Sequence, residues 1–410
     1  MKVLLITPYV TITSRPEFSR NKTGFGYMVY DIAKAVAKTE QVDVLCTDTR
    51  GDGFEMDGIH FLPRKASTIA VSACRCLPLK AFTSLYNKYQ MSKGAAARLA
   101  YYWVLSGYVR KVIKNGNYDV VHVHGCSFSG ALWDAICKEC NAKIVYTLHG
   151  LNSFSDTVSL EPAGKQFERD FLKDVVDGKH QISVISTGMK KTIMKCNGRL
   201  ECQNISVVTN SFSYTDSCLR PVSDKGDIKL KYNIPQDSKI ILYVGNISVN
   251  KNQQQLVRAF SLMDDELCKS TYVLFLGRYV DNDPIILQIK NTRWADHLIL
   301  CGSVDKDLVP DYYKQADGVV LLSVAEGFGL SLIEGMHFGL PCMMPDDLDA
   351  FEDIYTTEAV VRISERKDKA VAEGLAELIT RDWNHESIKD YSRKFESEAM
   401  AREYVKFYSK

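Results

Sequence analysis

Short apolar runs rich in β-branched residues alternate along the chain with longer stretches whose apolar positions recur every three to four residues. That alternation predicts βαβ units: each run is a strand in a parallel sheet, and each periodic stretch is a helix laid across it. One set of runs falls at 3–6, 42–46, 120–123, 144–148, 182–185 and 205–208, and a second at 240–244, 273–276, 298–300, 319–322 and 342–344. Between them, residues 211–236 are rich in serine, aspartate and lysine with two prolines, and read as a linker. After Arg381 the pattern stays helical to the end, with Ile388, Tyr391, Phe395, Met400, Tyr404 and Phe407 three to five residues apart. The expected architecture is α/β, with doubly wound domains at 1–212 and 237–385, a linker at 213–236, and closing helices at 386–410 that pack back on the first domain. Two such domains facing each other would bind ligands in a cleft at the carboxyl ends of their strands.

Composition narrows the class. The 410 residues are 46% hydrophobic and 25% charged, which suits two globular domains and excludes a disordered, collagenous or coiled-coil chain. No apolar run approaches the roughly 18–20 residues of a membrane-spanning helix. The first run is too short for a signal-peptide core, so the expected location is the cytoplasm, with peripheral attachment to the inner face of the cell membrane. Twelve cysteines in that setting suggest reduced, mostly buried thiols. Cys137-Lys138-Glu139-Cys140 lacks the second ligand pair that a structural zinc site needs. The net charge of +1 conceals an asymmetry: residues 1–220 carry 28 basic and 19 acidic side chains, residues 221–410 carry 23 and 31. One half is expected to face an anionic partner.

Candidate chemistry is densest at 322–336, Leu-Ser-Val-Ala-Glu-Gly-Phe-Gly-Leu-Ser-Leu-Ile-Glu-Gly-Met. A buried strand ends there, a glycine-containing loop follows, and a helix begins near Ser331, so its first free amides form an anion site. Glu326 is placed at the mouth of the loop and Glu334 in the first helical turn. Carboxylates beside a phosphate repel it, so their useful role is to accept hydrogen bonds from neutral hydroxyls. Ser331-x-x-Glu334 fits a plain capping box equally well. At 243–252 a second strand–loop–helix junction places Lys251 near a helix start, where the dipole disfavours a cation unless an anion is bound; a lysine reaching into water is the simpler alternative. Gly24 and Gly26, between the first strand and first helix, either admit a phosphate or make a turn. His124 and His149 close two strands and suit either a cleft or the core.

Taken together, these segments resemble the retaining glycosyltransferases of family 4, whose GT-B fold consists of two facing Rossmann-like domains. The resemblance spans nearly the whole chain: the opening strand and glycine loop, Asp119-Val120-Val121-His122-Val123-His124, Thr147-Leu148-His149-Gly150, Val207-Val208-Thr209-Asn210, and the two glutamates of Glu326-Gly-Phe-Gly-Leu-Ser-Leu-Ile-Glu334 ahead of Gly339-Leu340-Pro341. It implies that Glu326 contacts hydroxyls of the transferred sugar and Glu334 the ribose. The loop of Gly327, Phe328, Gly329, Leu330 and Ser331 would hold the diphosphate, assisted by Lys251, with Gly24 and Gly26 leaving it room. The base would lie near Gly302, with uridine favoured. His149 would stand near the sugar and acceptor, and His124 on the acceptor side. Asn246 replaces an arginine common in the family, so Lys251 or Arg278 must carry more of the charge.

The implied reaction moves a sugar from a nucleoside diphosphate sugar to a hydroxyl of a glycan or lipid-linked acceptor, with retention and without metal or other cofactor, in bacterial surface-polysaccharide synthesis. Glu326, His149 and Lys251 are its expected catalytic residues. Asp347-Leu348-Asp349 looks like a metal-binding motif but reads as a solvated turn. A nucleotide-sugar 2-epimerase of the same fold and a non-catalytic sugar-nucleotide binding protein are the competing readings. Residues 58–118 hold ten basic side chains and no aspartate or glutamate, interleaved with aromatics. They fit either an interfacial segment docking on anionic membrane or a basic flank whose aromatics fill the core. No nucleic-acid module is recognisable.

Overall fold

The computed structural model describes residues 1–21, 23–154, 160–212, 214 and 227–410. Most of the expected linker, residues 213 and 215–226, lies outside them, as does Lys22. The chain forms two compact units, Met1–Thr209 with Ser397–Lys410, and Asn210–Glu396.

The first unit is built on strands β1 (Lys2–Thr7), β2 (Gln41–Cys46), β3 (Phe54–Met56), β4 (Ile59–Phe61), β5 (Val120–His124), β6 (Lys143–Leu148), β7 (Ile182–Val184) and β8 (Ile205–Val207), ordered β3-β4-β2-β1-β5-β6-β7-β8. All pairings are parallel except the β3–β4 hairpin. Its turn is Asp57-Gly58, both with positive φ (52° and 74°), the combination a two-residue hairpin demands. Val3, Leu4, Leu5 and Ile6 of β1 are buried on both faces, as a strand covered by helices on each side must be. The last helix, Ser397–Ser409, belongs to this unit and buries Met400, Tyr404, Phe407 and Tyr408 in it.

The second unit holds β9 (Lys239–Val244), β10 (Thr271–Leu276), β11 (Leu298–Gly302), β12 (Gly318–Val320), β13 (Cys342–Pro345) and β14 (Val360–Ile363), all parallel in the order β11-β10-β9-β12-β13-β14. In each sheet the first strand pairs with the second on one side and a later one on the other, so the connections reverse direction at β1/β5 and at β9/β12. Loops leave these switch points toward opposite sides and open a crevice at the carboxyl ends of the strands.

Part of the basic stretch is built into the core. Tyr89, Leu99, Tyr102 and Tyr108 are core residues, and Trp103 donates its indole N–H to Leu77 O at 2.9 Å. Among the described residues no helix is long and apolar enough to cross a membrane, and no His/Cys/Asp/Glu group is arranged to hold a metal ion. The eleven described cysteines are all free.

Candidate active site

The β9/β12 switch point of the second unit brings together the two densest motifs of the sequence. Leaving β9, the chain runs through Gly245–Asn252 to the helix Gln253–Phe260; leaving β12, it runs through residues 321–329 to the helix Leu330–His337. The loops are cross-tied. Asn250 donates from its amide to Ala325 O (3.0 Å) and accepts from Ala325 N (3.2 Å), while Val324 N donates to Asn250 O (2.7 Å). The buried Tyr243 hydroxyl donates to Lys251 O and accepts from Leu322 N at 2.9 Å; desolvation raises its pKa, so it stays a neutral donor. Arg366 donates to Leu322 O (3.0 Å) and Ser323 O (2.8 Å) and forms a bidentate pair with Asp347, both contacts at 2.7 Å. Asp347 is therefore not a merely solvated turn residue: it orients the guanidinium that pins the end of the β12 segment.

These ties set the Lys251 ammonium in an ion pair with Glu326, whose Oε2 also accepts from Ser323 Oγ at 3.2 Å. Both side chains are about one-fifth to one-quarter exposed, at 24% and 21%. The helix after Glu326 starts at Gly329, whose φ of 89° is the left-handed region that glycine enters without strain, and no side chain caps it. This rules out the Ser331–Glu334 capping box. The helix begins one residue earlier than expected, so Glu334 stands in its second turn, where the buried Tyr313 hydroxyl donates to its Oε2 at 2.9 Å. The Leu330 and Ser331 amides have no acceptor among the described residues. A carboxylate, an ammonium and uncapped helix-start amides thus lie on adjoining loops. Phe328 is buried against Phe395 with ring centroids 5.8 Å apart, so only its backbone could reach a ligand.

Asn246 spends its side chain on the backbone: its Oδ1 accepts from Arg278 N at 3.0 Å. The Arg278 backbone is thereby tethered beside the Lys251 loop, and its exposed side chain has no carboxylate partner among the described residues. Gly302 ends β11 with φ 71° and open space where a Cβ would be.

In the first unit, Gly24 and Gly26 fall in the first turn of the helix Gly24–Ala37 rather than in a loop. A Cβ on Gly26 would lie 2.2 Å from Thr11 Oγ1, and the Gly26 amide is already capped by Thr23 Oγ1 at 3.2 Å. Packing therefore accounts for Gly26, and Gly24 alone faces open space. His124 Nδ1 lies 3.0 Å from His149 Nε2, while the adjacent His122 bonds Tyr408 Oη (2.8 Å) and Thr147 Oγ1 (2.6 Å). Burial lowers the pKa of His149 to about 4 and of His122 to about 3, and pushes His124 well down with help from the other two rings. All three are neutral near pH 7. His124 Nε2 is buried without a partner among the described residues. A buried orphan N–H is rarer than a buried orphan lone pair, which favours the proton on His124 Nδ1, donating to His149 Nε2. His149 then carries its own proton on Nδ1.

Asn250, Tyr243, Arg366 and Tyr313 were not among the residues the sequence singled out. Asn250 adjoins Lys251, but its cross-loop bonds depend on the β9–β12 pairing, which local pattern does not reveal.

A family model described as Glycosyltransferase Family 4 matches residues 22–213, and one described as Glycosyl transferases group 1 matches residues 224–395. N-acetyl-alpha-D-glucosaminyl L-malate synthase of Bacillus anthracis is 23% identical over 313 residues, 74% of this chain and 78% of its own. Among solved structures, sucrose-phosphate synthase of Thermosynechococcus elongatus superposes with a TM-score of 0.70 at 18% identity, covering 100% of this chain and 98% of that one. HepE of Anabaena in complex with UDP gives a TM-score of 0.68 at 14% identity, covering 100% of both chains.

Proposed function

The chain belongs to glycosyltransferase family 4 and has the GT-B fold, and on that premise we propose that it transfers a sugar from a nucleoside diphosphate sugar to a hydroxyl of a glycan or lipid-linked acceptor, with retention at the anomeric carbon. The observation that carries this reading is the Lys251–Glu326 pair beside the uncapped start of the Leu330–His337 helix. The diphosphate takes the Leu330 and Ser331 amides and the Lys251 ammonium, reinforced by Arg278 in place of the charge that Asn246 lacks. Glu326, released from Lys251, accepts hydrogen bonds from the sugar hydroxyls, and Glu334 accepts them from the ribose. The UDP bound by the Anabaena relative supports uridine as the base.

In the reaction the bond from the anomeric carbon to the β-phosphate oxygen breaks and negative charge grows on the departing diphosphate. The acceptor oxygen bonds on the same face, and its proton passes to the departing phosphate oxygen. Helix amides and Lys251 are aimed where that charge develops, so the chemistry needs no metal. His149, neutral, orients the sugar by donating from Nδ1 rather than abstracting a proton. The products feed surface-polysaccharide or glycoconjugate synthesis in the cytoplasm. The helix Leu79–Tyr89, which exposes Leu79, Lys80 and Tyr86, rests on the anionic inner face of the membrane.

Release of nucleoside diphosphate from a panel of nucleotide sugars tests the reading. Wild-type protein should turn over at least one donor, and Glu326→Ala and Lys251→Ala should each lower the rate by about 100-fold or more. A double variant that keeps wild-type turnover would overturn the site assignment.

A further inference from the structure

A pocket of about 640 Å³ opens in the first unit at the carboxyl ends of β1, β2 and β4, with Tyr9, Arg20, Asn21, Arg50, Arg64 and Tyr101 in its wall. Arg64, just beyond β4, is only 5% exposed. Its Nε and Nη1 are buried with no hydrogen-bond partner, and no carboxylate among the described residues lies within ion-pair reach of its guanidinium. The nearest compensation is the Tyr101 ring, 5.4 Å from the guanidinium carbon. Tyr101 is itself fixed by donating to Thr47 O at 2.5 Å.

A guanidinium removed from water without a counter-charge is destabilised. The surroundings deepen that strain: burial lowers the Arg64 pKa, and the positive charge of Arg50 acts in the same direction more strongly than Asp48 opposes it. Arg50 and Arg20 are exposed at the same pocket and have no carboxylate partner among the described residues. Of the two carboxylates in the wall, Glu17 pairs with Arg15 at 3.5 Å, and Asp48 accepts from the Tyr102 and Thr47 hydroxyls at 3.1 and 3.0 Å. Three arginines therefore face the pocket against two carboxylates, one paired with Arg15 and the other, Asp48, outweighed at Arg64 by the charge of Arg50. Lys65, the next residue, is paired with Asp52, so unpaired cation is not a general property of this strand end.

We propose that this pocket binds a phosphate group carried by the acceptor, held by Arg64, Arg50 and Arg20. The proposal rests on the glycosyl-transfer reading and gives it a substrate class: the acceptor is a phosphate ester, and the charge missing around Arg64 arrives with it. Guanidinium forks suit phosphate oxygens, and several of them converging match a group that carries more than one negative charge. A pocket of this volume has room for a sugar as well as its phosphate. The phosphate's source is either a soluble sugar phosphate or a lipid-linked headgroup.

Titration calorimetry on the full chain tests the proposal with glucose 6-phosphate, inorganic phosphate and unphosphorylated glucose as probes, and with UDP as an independent arm. Glucose 6-phosphate or inorganic phosphate should bind and glucose should not. Arg64→Gln and Arg50→Gln should each weaken the phosphate probe by roughly tenfold or more while leaving UDP affinity unchanged. Arg50 is exposed, so its variant keeps the test valid if Arg64→Gln fails to fold. In a parallel sedimentation assay, inorganic phosphate releasing the protein from phosphatidylglycerol vesicles, with vesicle binding lost in Arg50→Gln, assigns the group to a lipid. Binding of glucose 6-phosphate that Arg50→Gln weakens, with vesicle binding unchanged in that variant, assigns it to a soluble ester. Phosphate probes that bind neither way, or that bind Arg50→Gln and the wild type equally, overturn the proposal. If UDP binds in that case, only the acceptor pocket is refuted; if UDP also fails, the donor reading falls with it.

Discussion

The two units prepare their charged groups in opposite ways. In the second unit Lys251 already has Glu326, Arg366 already has Asp347, and the loops that carry them are tied by Asn250 and Tyr243. In the first, Arg64 has no ion-pair partner and His124 Nε2 no hydrogen-bond partner among the described residues, although both are buried. A site satisfied without its ligand must exchange partners on binding, which costs little and suits a common donor. A site left unsatisfied gains from one ligand chemistry and rejects others, because a wrong ligand leaves the buried group unpaired. On the proposed reading, donor chemistry belongs to the tied loops of the second unit and acceptor selectivity to the first.

The strongest way to break this comparison is to remove the exchange partner. Lys251→Met leaves Glu326 facing the incoming diphosphate alone, so turnover should fall by about 10²–10³-fold and UDP affinity should fall with it. Glu326→Gln keeps an acceptor for Ser323 and frees the lysine. It should reduce turnover while UDP binds as well as or better than to the wild type. Equal losses of UDP affinity in both variants would mean the pair acts only as structural glue.

Next in size is the histidine cluster. His122 and His149 have folded pKa values of about 3 and 4 against 6.5 for an unperturbed ring. From pH 6.5 down to about 4 the unfolded chain therefore binds more protons than the folded one, and stability is lost as pH falls through that window; above 6.5 the contribution is fully present. The loss should be on the order of a few kcal/mol. Denaturant unfolding at pH 7.5 and 5 measures it, and His122→Asn should flatten the dependence. A flat wild-type profile would show that these rings take up protons in the fold as they do in the unfolded chain.

Much of this arrangement was legible in the sequence, and the exceptions share a cause. All eleven apolar runs became strands, because strands buried on both faces leave an uninterrupted β-branched signature. The β3–β4 hairpin escaped notice because its strands are three residues long, although Asp57-Gly58 is a strong turn signal. β14 also passed unseen. Glu326, Lys251, Glu334 and His149 stood out because their chemistry is tied to local glycine and helix-start patterns. Arg64 was one of ten basic residues in a row of similar ones: its isolation depends on burial and on where the surrounding carboxylates point, which no local pattern encodes. Gly26 had the opposite fate, a site-like glycine whose missing side chain is explained by Thr11.

A smaller effect is expected from Arg366→Ala. It removes the bonds to Leu322 O and Ser323 O but none to a ligand, so it should lower kcat by about tenfold with KM nearly unchanged. Arg366→Lys, which cannot make the bidentate contact to Asp347, should rescue only part of it. Full activity in both variants would show that Asn250 and Tyr243 suffice to hold the loop.

The smallest effect probes the outer surface of the first unit. Lys88 is held by Asp170 at 2.8 Å and Arg110 by Glu139 at 2.7 Å, whereas exposed Lys80, Lys93 and Arg98 have no carboxylate partner among the described residues. Each free cation near an anionic surface contributes roughly 1 kcal/mol, so Lys80→Glu with Lys93→Glu should strongly reduce sedimentation with phosphatidylglycerol vesicles while changing stability little. Lys88→Glu should act differently, costing stability through Asp170 and Tyr89 and adding little to vesicle release. Should Lys80→Glu with Lys93→Glu sediment as the wild type does, the basic stretch would be a structural flank, and the anionic partner of this unit would be confined to the Arg64 pocket.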